Sequence, residues 1–197
     1  MTGELNRFSE TIERFDAVNR DDPNREAFHG KEYPKELLYA ERMTAWLMRL
    51  APDASEPLRL AARCQHIARW QIPRTDYPMD RRGYHQWRMA LNRFHAKKAG
   101  EILREVGYDD ETVTRVQGFM LKKRLKADPE MQLLEDVICL VFLESYFADF
   151  SKKHDENKLI IIVQKTWKKM SPRGHEAALQ LNLRPEDLAL IKKALST

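Results

Sequence analysis

The sequence has little cysteine and no long apolar run. Cys64 and Cys139 are its two cysteines, and both lie within apolar helical patterns, so a disulfide framework is not expected and a reducing compartment, the cytoplasm, is. The longest apolar runs are Val137–Leu143 and Leu159–Val163, whereas a bilayer span needs roughly 20 apolar residues. The first residues, MTGELNRFSE, contain no apolar core of a signal peptide. We therefore expect a protein with no membrane association.

Strand-like alternation, internal repeats and low-complexity tracts are also missing. Apolar residues recur instead every three to four positions, as in residues 4–19, which is the spacing of an amphipathic helix. The segment 21–33 reads as a polar connector between helices, because it contains a proline and a glycine. The sequence therefore predicts an all-α fold, a single globular helical bundle of about eight or nine helices spanning residues 1–197.

Prolines, glycines and capping residues predict where the helices begin and end. Pro34 suits a helix start, and Asp53 has capping-box spacing to Glu56 for a helix that continues to Trp70. Gly107 suits the end of a long helix. The predicted helices cover residues 4–19, 34–50, 53–70, 86–106, 109–124, 129–150, 155–169, 172–181 and 186–195.

Four polar side chains lie on apolar helix faces, where a metal ligand would have to be. Glu36, His66, His95 and Asp136 each fall on a different predicted helix. Ligands that converge from separate elements are typical of a metal site, and a divalent metal is the predicted cofactor. Other interpretations stay open. Glu36 suits the first turn of a helix through the helix dipole, Asp136 would be stabilised by a neighbouring arginine, and Glu135 lies close enough to exchange roles with it.

Basic residues are concentrated around His66. Between Arg63 and Lys98 there are nine basic residues and two acidic ones, a net charge of +7, whereas the whole chain carries +4. Such an excess indicates an anionic partner, either a phosphorylated small molecule such as a nucleotide or RNA. A run from Lys122 to Lys126 adds to the case for RNA. The residues predicted to bind the anion are Arg63, Arg69, Trp70, Arg74 and Arg88.

Three segments resemble HD-domain metal-dependent phosphohydrolases. The helix that begins at His95 and ends at Gly107, the segment LAARCQHIARW and the late helix LLEDVICLVFLE match that family's order of ligand-bearing helices. The resemblance implies an HD-like core at about residues 36–145, followed by a helical extension at 155–195. It also implies that bound metal activates water against a phosphate ester.

The sequence departs from the HD pattern at its most informative point. The family's His-Asp doublet aligns with Gln65-His66, so Gln65 offers only a neutral amide and the bridging carboxylate is absent. Glu36 stands where the first histidine would be, and the alignment also allows Tyr39 or Glu41 there. Two functions are therefore expected as alternatives. One is a metal-dependent hydrolase-like protein that binds a phosphorylated, nucleotide-like substrate. The other is a non-catalytic helical protein that binds RNA or another polyanion.

A second resemblance covers nearly the whole chain. It rests on the segments ELLYAERMTAWL, QHIARWQIPRTDYPMDRRGYHQWR, LEDVICLVFLESYFADF and KTWKKMSPRGHEAAL. These segments resemble an uncharacterised domain-of-unknown-function family of bacteria and fungi. This resemblance implies a shared fold and assigns no activity.

Overall fold

The fold is mostly helical, which confirms the predicted fold class. The computed structural model describes residues 2–122 and 127–196 and is 72% helical. The chain forms two compact units, Met1–Arg124 and Leu125–Thr197. The first contains α1 (Thr2–Arg20), β1 (Arg25–Phe28), β2 (Lys31–Pro34), α2 (Lys35–Leu50), α3 (Glu56–Arg63), α4 (Arg81–Glu105) and α5 (Asp110–Met120). The second contains α6 (Pro129–Val141), α7 (Phe147–Ser151), α8 (Glu156–Trp167), α9 (Pro172–Leu179) and α10 (Pro185–Leu195).

Each helix of the first unit contributes a large side chain to one apolar core. One such side chain from each helix is almost completely buried. In chain order they are Phe15, Leu47, Leu58, Leu91 and Phe119. Burying a side chain of this size stabilises the fold by about 1.5–3 kcal/mol, so this core holds the five helices together.

The predicted polar connector is wrong, because it contains a β-hairpin. Arg25–Phe28 pairs antiparallel with Lys31–Pro34, and the two-residue turn between them has positive φ at both His29 (49°) and Gly30 (74°). Such a turn matches the twist of paired strands. The strands have four residues each, which is too short for alternation to be recognised in the sequence.

The predicted helix 53–70 is wrong at both ends. Ser55, not Asp53, is the N-cap of α3, because its hydroxyl accepts a hydrogen bond from the Leu58 amide. The helix ends at Arg63, so His66 lies in the turn that follows and not within a helix. Ala68 adopts φ 52° and ψ 31°, a left-handed conformation that an α-helix cannot include.

The long helix α4 begins five residues earlier than the predicted Gln86. The Asp80 carboxylate caps it by accepting a hydrogen bond from the Gly83 amide. Gly83 has to be glycine here, because a Cβ atom would lie 2.0 Å from the Pro78 carbonyl oxygen. The predicted C-terminal glycine is confirmed, since Gly107 follows α4 with φ 90°.

In the second unit α6 packs against α9, and α8 packs against α10. Asp128 caps α6, with Pro129 in the first turn. A single π-helical turn, Phe142–Tyr146, joins α6 to α7. The helices predicted at 155–169, 172–181 and 186–195 are confirmed to within two residues at each end.

Two further expectations concern the membrane and the cysteines. Among the residues that the structure describes, no helix has the length and apolarity to cross a bilayer. Cys64 and Cys139 are both buried free thiols, and burial raises the pKa of the Cys64 thiol. A deeply buried thiol with a raised pKa is unreactive, so Cys64 serves as a small core side chain.

Candidate functional site

Three of the four predicted metal ligands lie together in the first unit. Glu36 lies in the first turn of α2, His66 in the turn after α3, and His95 in α4. His66 Nδ1 is 3.2 Å from Glu36 Oε2, and the His66 and His95 ring centroids are 5.9 Å apart. The Arg69 Nε atom is 3.7 Å from Glu36 Oε1. We call Glu36, His66, Arg69 and His95 the histidine–arginine cluster.

The partners of His66 define its tautomer. Arg69 has only donors, so its Nη1 group donates to His66 Nε2 at 3.0 Å. His66 Nε2 is therefore the lone-pair nitrogen, and Nδ1 carries the hydrogen that is donated to Glu36 Oε2. The Tyr39 ring stacks on the imidazole, with centroids 4.0 Å apart and planes 11° apart. These contacts hold His66 in one orientation with its Nε2 lone pair directed at a cation.

His95 has the same tautomer through a different acceptor. Its Nδ1–H group donates to the Ile67 carbonyl oxygen at 2.8 Å, which leaves Nε2 as the lone-pair nitrogen. Nε2 is buried and has no hydrogen-bond partner among the described atoms. A buried acceptor without a donor destabilises the fold, so an unpaired Nε2 atom beside His66 is a feature that a ligand would satisfy.

The cluster keeps both imidazoles neutral. Burial lowers the pKa of His95 to about 3, and the neighbouring His66 and Arg69 contribute in the same direction. Burial also lowers the pKa of His66 well below its ordinary value. For the Glu36 carboxyl, burial raises the pKa, and the Arg69 charge opposes that shift. At neutral pH both rings can accept hydrogen bonds or bind a Lewis acid through Nε2.

Positive charge dominates the surroundings of His66. After burial, the causes that lower its pKa are the charges of Arg69, Arg88, Lys122 and Lys35. Arg88 comes from α4, Lys122 follows α5 and Lys35 begins α2, so the charges that act on His66 come from separate elements. Within the cluster itself Glu36 is the one carboxylate. The site therefore has a net positive potential that favours an anion.

The other residues predicted to bind an anion have different positions. Arg63 forms an ion pair with Asp16, with both of its hydrogen bonds at 2.6 Å, and links α3 to α1. Arg74 donates to the carbonyl groups of Tyr77, Pro78 and Asp80 and so braces that loop. Trp70 is half-buried in the 3₁₀ turn that follows His66. Of the predicted arginines, Arg69 and Arg88 are those whose charge acts on His66.

An aromatic pair lies beside Arg69, the arginine of the cluster. The rings of Tyr84 and Trp87 on α4 are 5.9 Å apart between centroids, and Tyr84 is 47% exposed. The Arg69 guanidinium lies 4.9 Å from the Trp87 ring centroid, and the Trp87 indole N–H donates to the Ile72 carbonyl oxygen. Trp87 is held next to a cation, and the exposed Tyr84 ring beside it offers a stacking surface for a planar group.

Asp136, the fourth predicted ligand, belongs to the second unit, where both of its carboxylate oxygens accept hydrogen bonds. Its Oδ1 atom accepts hydrogen bonds from the Ser171 amide at 2.8 Å and from Gln132 Nε2 at 3.1 Å. Its Oδ2 atom accepts from the Ser171 hydroxyl at 2.5 Å. Gly174 lies against the same carboxylate. Asp136 therefore joins α6 to the start of α9 through donors that are neutral.

No group of three or more histidine, cysteine, aspartate or glutamate side chains is arranged to hold a metal ion within residues 2–122 and 127–196. In the cluster, His66 Nε2 is paired with Arg69 and only His95 Nε2 is unpaired. The basic run predicted from Lys122 to Lys126 lies outside the described residues apart from Lys122, which has a positive φ of 54°.

Three further residues surround the cluster. Tyr39, which stacks on His66, lies three positions after Glu36 on the same helix face, and the sequence-based prediction includes it only as an alternative to Glu36. Asn19 and Asp22 at the end of α1 hydrogen-bond to the backbone of Ala68 and Glu36. No local signal identifies those two, because their partners are 49 and 14 residues away.

The fold and the histidine–arginine cluster define a mostly helical protein with a positively charged polar site in its first unit. The family described as Domain of unknown function (DUF4202) matches residues 9–191, and the chain belongs to this family. No curated protein matches the chain, and neither does any solved structure. The family carries no assigned activity, so the function has to be argued from the cluster.

Proposed function

We propose that this protein binds a phosphorylated small molecule at the histidine–arginine cluster. The observation that carries the proposal is that the charges of Arg69, Arg88, Lys122 and Lys35 all act on His66, with Glu36 as the one carboxylate in the cluster. This excess of positive charge around a neutral ring favours an anion at the cluster. A phosphate group supplies that negative charge.

The side chains of the cluster suit the different oxygens of a phosphate ester. Arg69 has a planar fork of donors that matches two phosphate oxygens, and Arg88 adds a second guanidinium. The unpaired Nε2 atom of His95 accepts a hydrogen bond, which a protonated phosphate oxygen or a bound water donates. The hydrogen bond from His66 to Glu36 keeps the imidazole in place while Arg69 turns toward the ligand.

The aromatic pair supports a nucleotide-like ligand. Tyr84 and Trp87 stand next to Arg69, so a phosphate bound by Arg69 would leave a planar base within reach of the exposed Tyr84 ring. Stacking of a base on an aromatic ring contributes about 1–3 kcal/mol. We therefore expect a nucleoside monophosphate to bind more tightly than a sugar phosphate, and Tyr84→Ala to remove that difference.

Titration calorimetry with pyrophosphate tests the anion site. Arg88→Gln is the informative variant, because Arg88 acts on His66 through its charge, whereas Arg69 also contacts Glu36. A charged hydrogen bond contributes roughly 1.5–3 kcal/mol, so the affinity is expected to fall about tenfold or more. Arg82→Gln, at an exposed position on the first turn of the same helix, is the matched control and should bind normally. Equal affinities for both variants would contradict the proposal.

A second candidate function is metal-dependent hydrolysis of the bound phosphate. It is favoured by His95, whose Nδ1–H group donates to a backbone carbonyl while Nε2 stays unpaired, since histidines that bind metals use this arrangement. A divalent metal would supply an activated water for attack on the phosphorus atom. For His66 to contribute its Nε2 atom, the Arg69 side chain has to leave it.

Elemental analysis of protein purified without chelator separates the two functions. If the cluster binds a metal, one equivalent should be present, and His95→Gln should remove it while leaving the fold intact. His85→Gln, at an exposed histidine of α4, should retain the metal. Protein without metal that still binds pyrophosphate would support phosphate binding and reject hydrolysis by a bound metal.

A further inference from the structure

Two buried polar residues at the end of α1 reach both segments that carry the histidine–arginine cluster. Asn19 lies in the last turn of α1 and Asp22 lies two residues after the end of α1, and both are completely buried. Burying an amide and a carboxylate destabilises a fold unless each finds partners. Asn19 Oδ1 and Asp22 Oδ2 each accept a hydrogen bond from a backbone amide of the site.

Asn19 supports the turn that carries His66 and Arg69. Its Oδ1 atom accepts a hydrogen bond from the Ala68 amide at 3.0 Å. Ala68 lies between those two side chains in a left-handed conformation (φ 52°), which a residue with a Cβ atom rarely adopts without support. At the preceding residue, the Ile67 carbonyl accepts from His95. Hydrogen bonds therefore hold the turn at two consecutive residues, at Ile67 through His95 and at Ala68 through Asn19.

Asp22 supports the helix start that carries Glu36. Pro34 is the N-cap of α2 and provides no side-chain acceptor for the free amides of the first turn. Asp22 Oδ2 accepts from the Glu36 amide at 3.0 Å and so takes the role of the missing cap. Its Oδ1 atom accepts from the amide and side chain of Asn24, which fixes the carboxylate in place.

We infer that Asn19 and Asp22 are positioning residues of the ligand site, which set the distance between Glu36 and the His66–Arg69 turn. The inference rests on the proposed function, because it assigns the pair a role in ligand binding. The two residues are close together in one chain segment, so the end of α1 acts as a common support for both halves of the cluster. Losing either contact should misplace the cluster as well as destabilise the fold.

The ion pair of Asp16 and Arg63 provides a matched control. Asp16 lies one turn before Asn19 on α1 and is also buried, and its two hydrogen bonds of 2.6 Å attach α1 to α3. Neither residue hydrogen-bonds to the backbone of the His66 turn or of the α2 start in the described structure. Asp16→Asn therefore weakens the attachment of α1 to α3 but leaves the hydrogen bonds of Asn19 and Asp22 to the site in place.

The experiment compares Asn19→Ala, Asp22→Ala and Asp16→Asn with the wild-type chain. Urea unfolding gives stability, calorimetry gives pyrophosphate affinity, and proton NMR gives the imidazole N–H signals of His66 and His95. All three variants should be less stable. Only Asn19→Ala and Asp22→Ala should lose tenfold or more in affinity and shift or lose the imidazole signals. Asp22→Asn keeps one side-chain oxygen and should recover part of the affinity.

Two outcomes overturn the inference. One is that Asn19→Ala and Asp22→Ala change affinity and imidazole signals no more than Asp16→Asn does, which would make their role purely structural. The other is that Asp22→Asn is no better than Asp22→Ala. If an alanine variant does not fold, Asn19→Ser and Asp22→Asn are compared with Asp16→Asn in the same way. If the wild type fails to bind pyrophosphate, the proposed function fails, while the imidazole signals still decide whether the pair positions the cluster.

Discussion

The two histidines of the cluster differ from surface histidines in what their protonation would cost. In each, the Nδ1–H group donates to an oxygen and Nε2 has a lone pair. The lone pair of His66 accepts from Arg69, whereas that of His95 has no donor among the described residues. Protonating either ring would add a charge to a buried site that already carries excess positive charge. Both imidazoles are therefore expected to bind a ligand in the neutral state, with Nε2 as the acceptor.

This neutrality has a consequence for stability against pH. The unfolded chain protonates His95 near a pKa of about 6.5, whereas the folded chain does so near about 3. Between these values the unfolded state binds more protons than the folded state. The free energy of unfolding therefore loses nothing to His95 well above pH 6.5 and falls as the pH drops below it, by up to roughly 1.4 kcal/mol per pH unit. His95→Gln should reduce the slope of unfolding free energy between pH 6.5 and 5 by about that amount.

Urea unfolding at pH 7, 6 and 5 measures this slope. His85→Gln is the control, because His85 is exposed on the same helix and should leave the wild-type slope unchanged. His66, whose pKa is lowered in the same direction, contributes a further slope that remains in both variants. If the His95 and His85 variants have equal slopes, the assignment of a buried neutral His95 is wrong.

The sequence identified the members of the cluster better than their supports. Glu36 and His95 stood out because a polar residue interrupted an apolar helix face, which is a local signal. His66 stood out for the same reason, although it lies in a turn. Asn19 and Asp22 gave no such signal, since a polar residue at a helix end is ordinary and only the three-dimensional fold brings them to the site.

At the scale of the element, the end of α3 is decided by a contact distant in sequence. LAARCQHIARW keeps a helical apolar spacing up to Trp70, and nothing in it stops a helix at Arg63. The left-handed Ala68 residue, with its amide bonded to Asn19, prevents the helix from continuing to Trp70. Tertiary contacts here override local propensity, which is why the boundary was predicted wrongly.

The junction of α6 and α9 gives a test of packing at the same scale. A Cβ atom on Gly174 would lie 2.7 Å from Asp136 Oδ1 and 2.8 Å from its Cγ atom, so Gly174→Ala forces α9 away from α6. Overpacking of this kind costs about 1–3 kcal/mol, and the carboxylate would also lose its Ser171 contacts. Thermal unfolding of the variant should show a clear loss of stability.

Gly118→Ala is the control for this substitution. Gly118 lies within α5, and a Cβ atom there would meet nothing within 4 Å. Alanine is favoured over glycine inside a helix by about 0.8–1 kcal/mol, so this variant should be more stable than the wild type. A Gly174→Ala variant as stable as Gly118→Ala would contradict the close approach of α9 to Asp136.

At the scale of the whole molecule, the fold class follows from the sequence because helical spacing recurs along nearly the entire chain. The hairpin Arg25–Pro34 does not follow from the sequence, since strands of four residues are too short to show an alternation of polar and apolar side chains. The division into Met1–Arg124 and Leu125–Thr197 likewise depends on which helices pack together, which periodicity does not reveal. Spacing predicts elements, whereas long-range contacts decide their ends and partners.

The distribution of charge over the molecule distinguishes a small phosphorylated ligand from RNA. Residues 63–98 carry a net charge of +7, but the cations that act on His66 are a small subset of the basic residues of the chain. A protein that contacts six to ten phosphates of single-stranded RNA loses about three-hundredfold or more in affinity between 50 and 200 mM salt. Pyrophosphate bound by two or three cations should lose only roughly tenfold over the same range.

Parallel titrations with pyrophosphate and a single-stranded RNA 20-mer at both salt concentrations measure this difference. We expect one pyrophosphate per chain, a shallow salt dependence, and loss of affinity in Arg88→Gln but not in Arg82→Gln. RNA should bind more weakly than pyrophosphate at 200 mM salt. If RNA instead binds more tightly, and the two arginine variants weaken it equally, its binding depends on the overall basic surface and not on the cluster. The protein would then be a polyanion-binding protein, because binding that depends on total charge does not need the buried histidines.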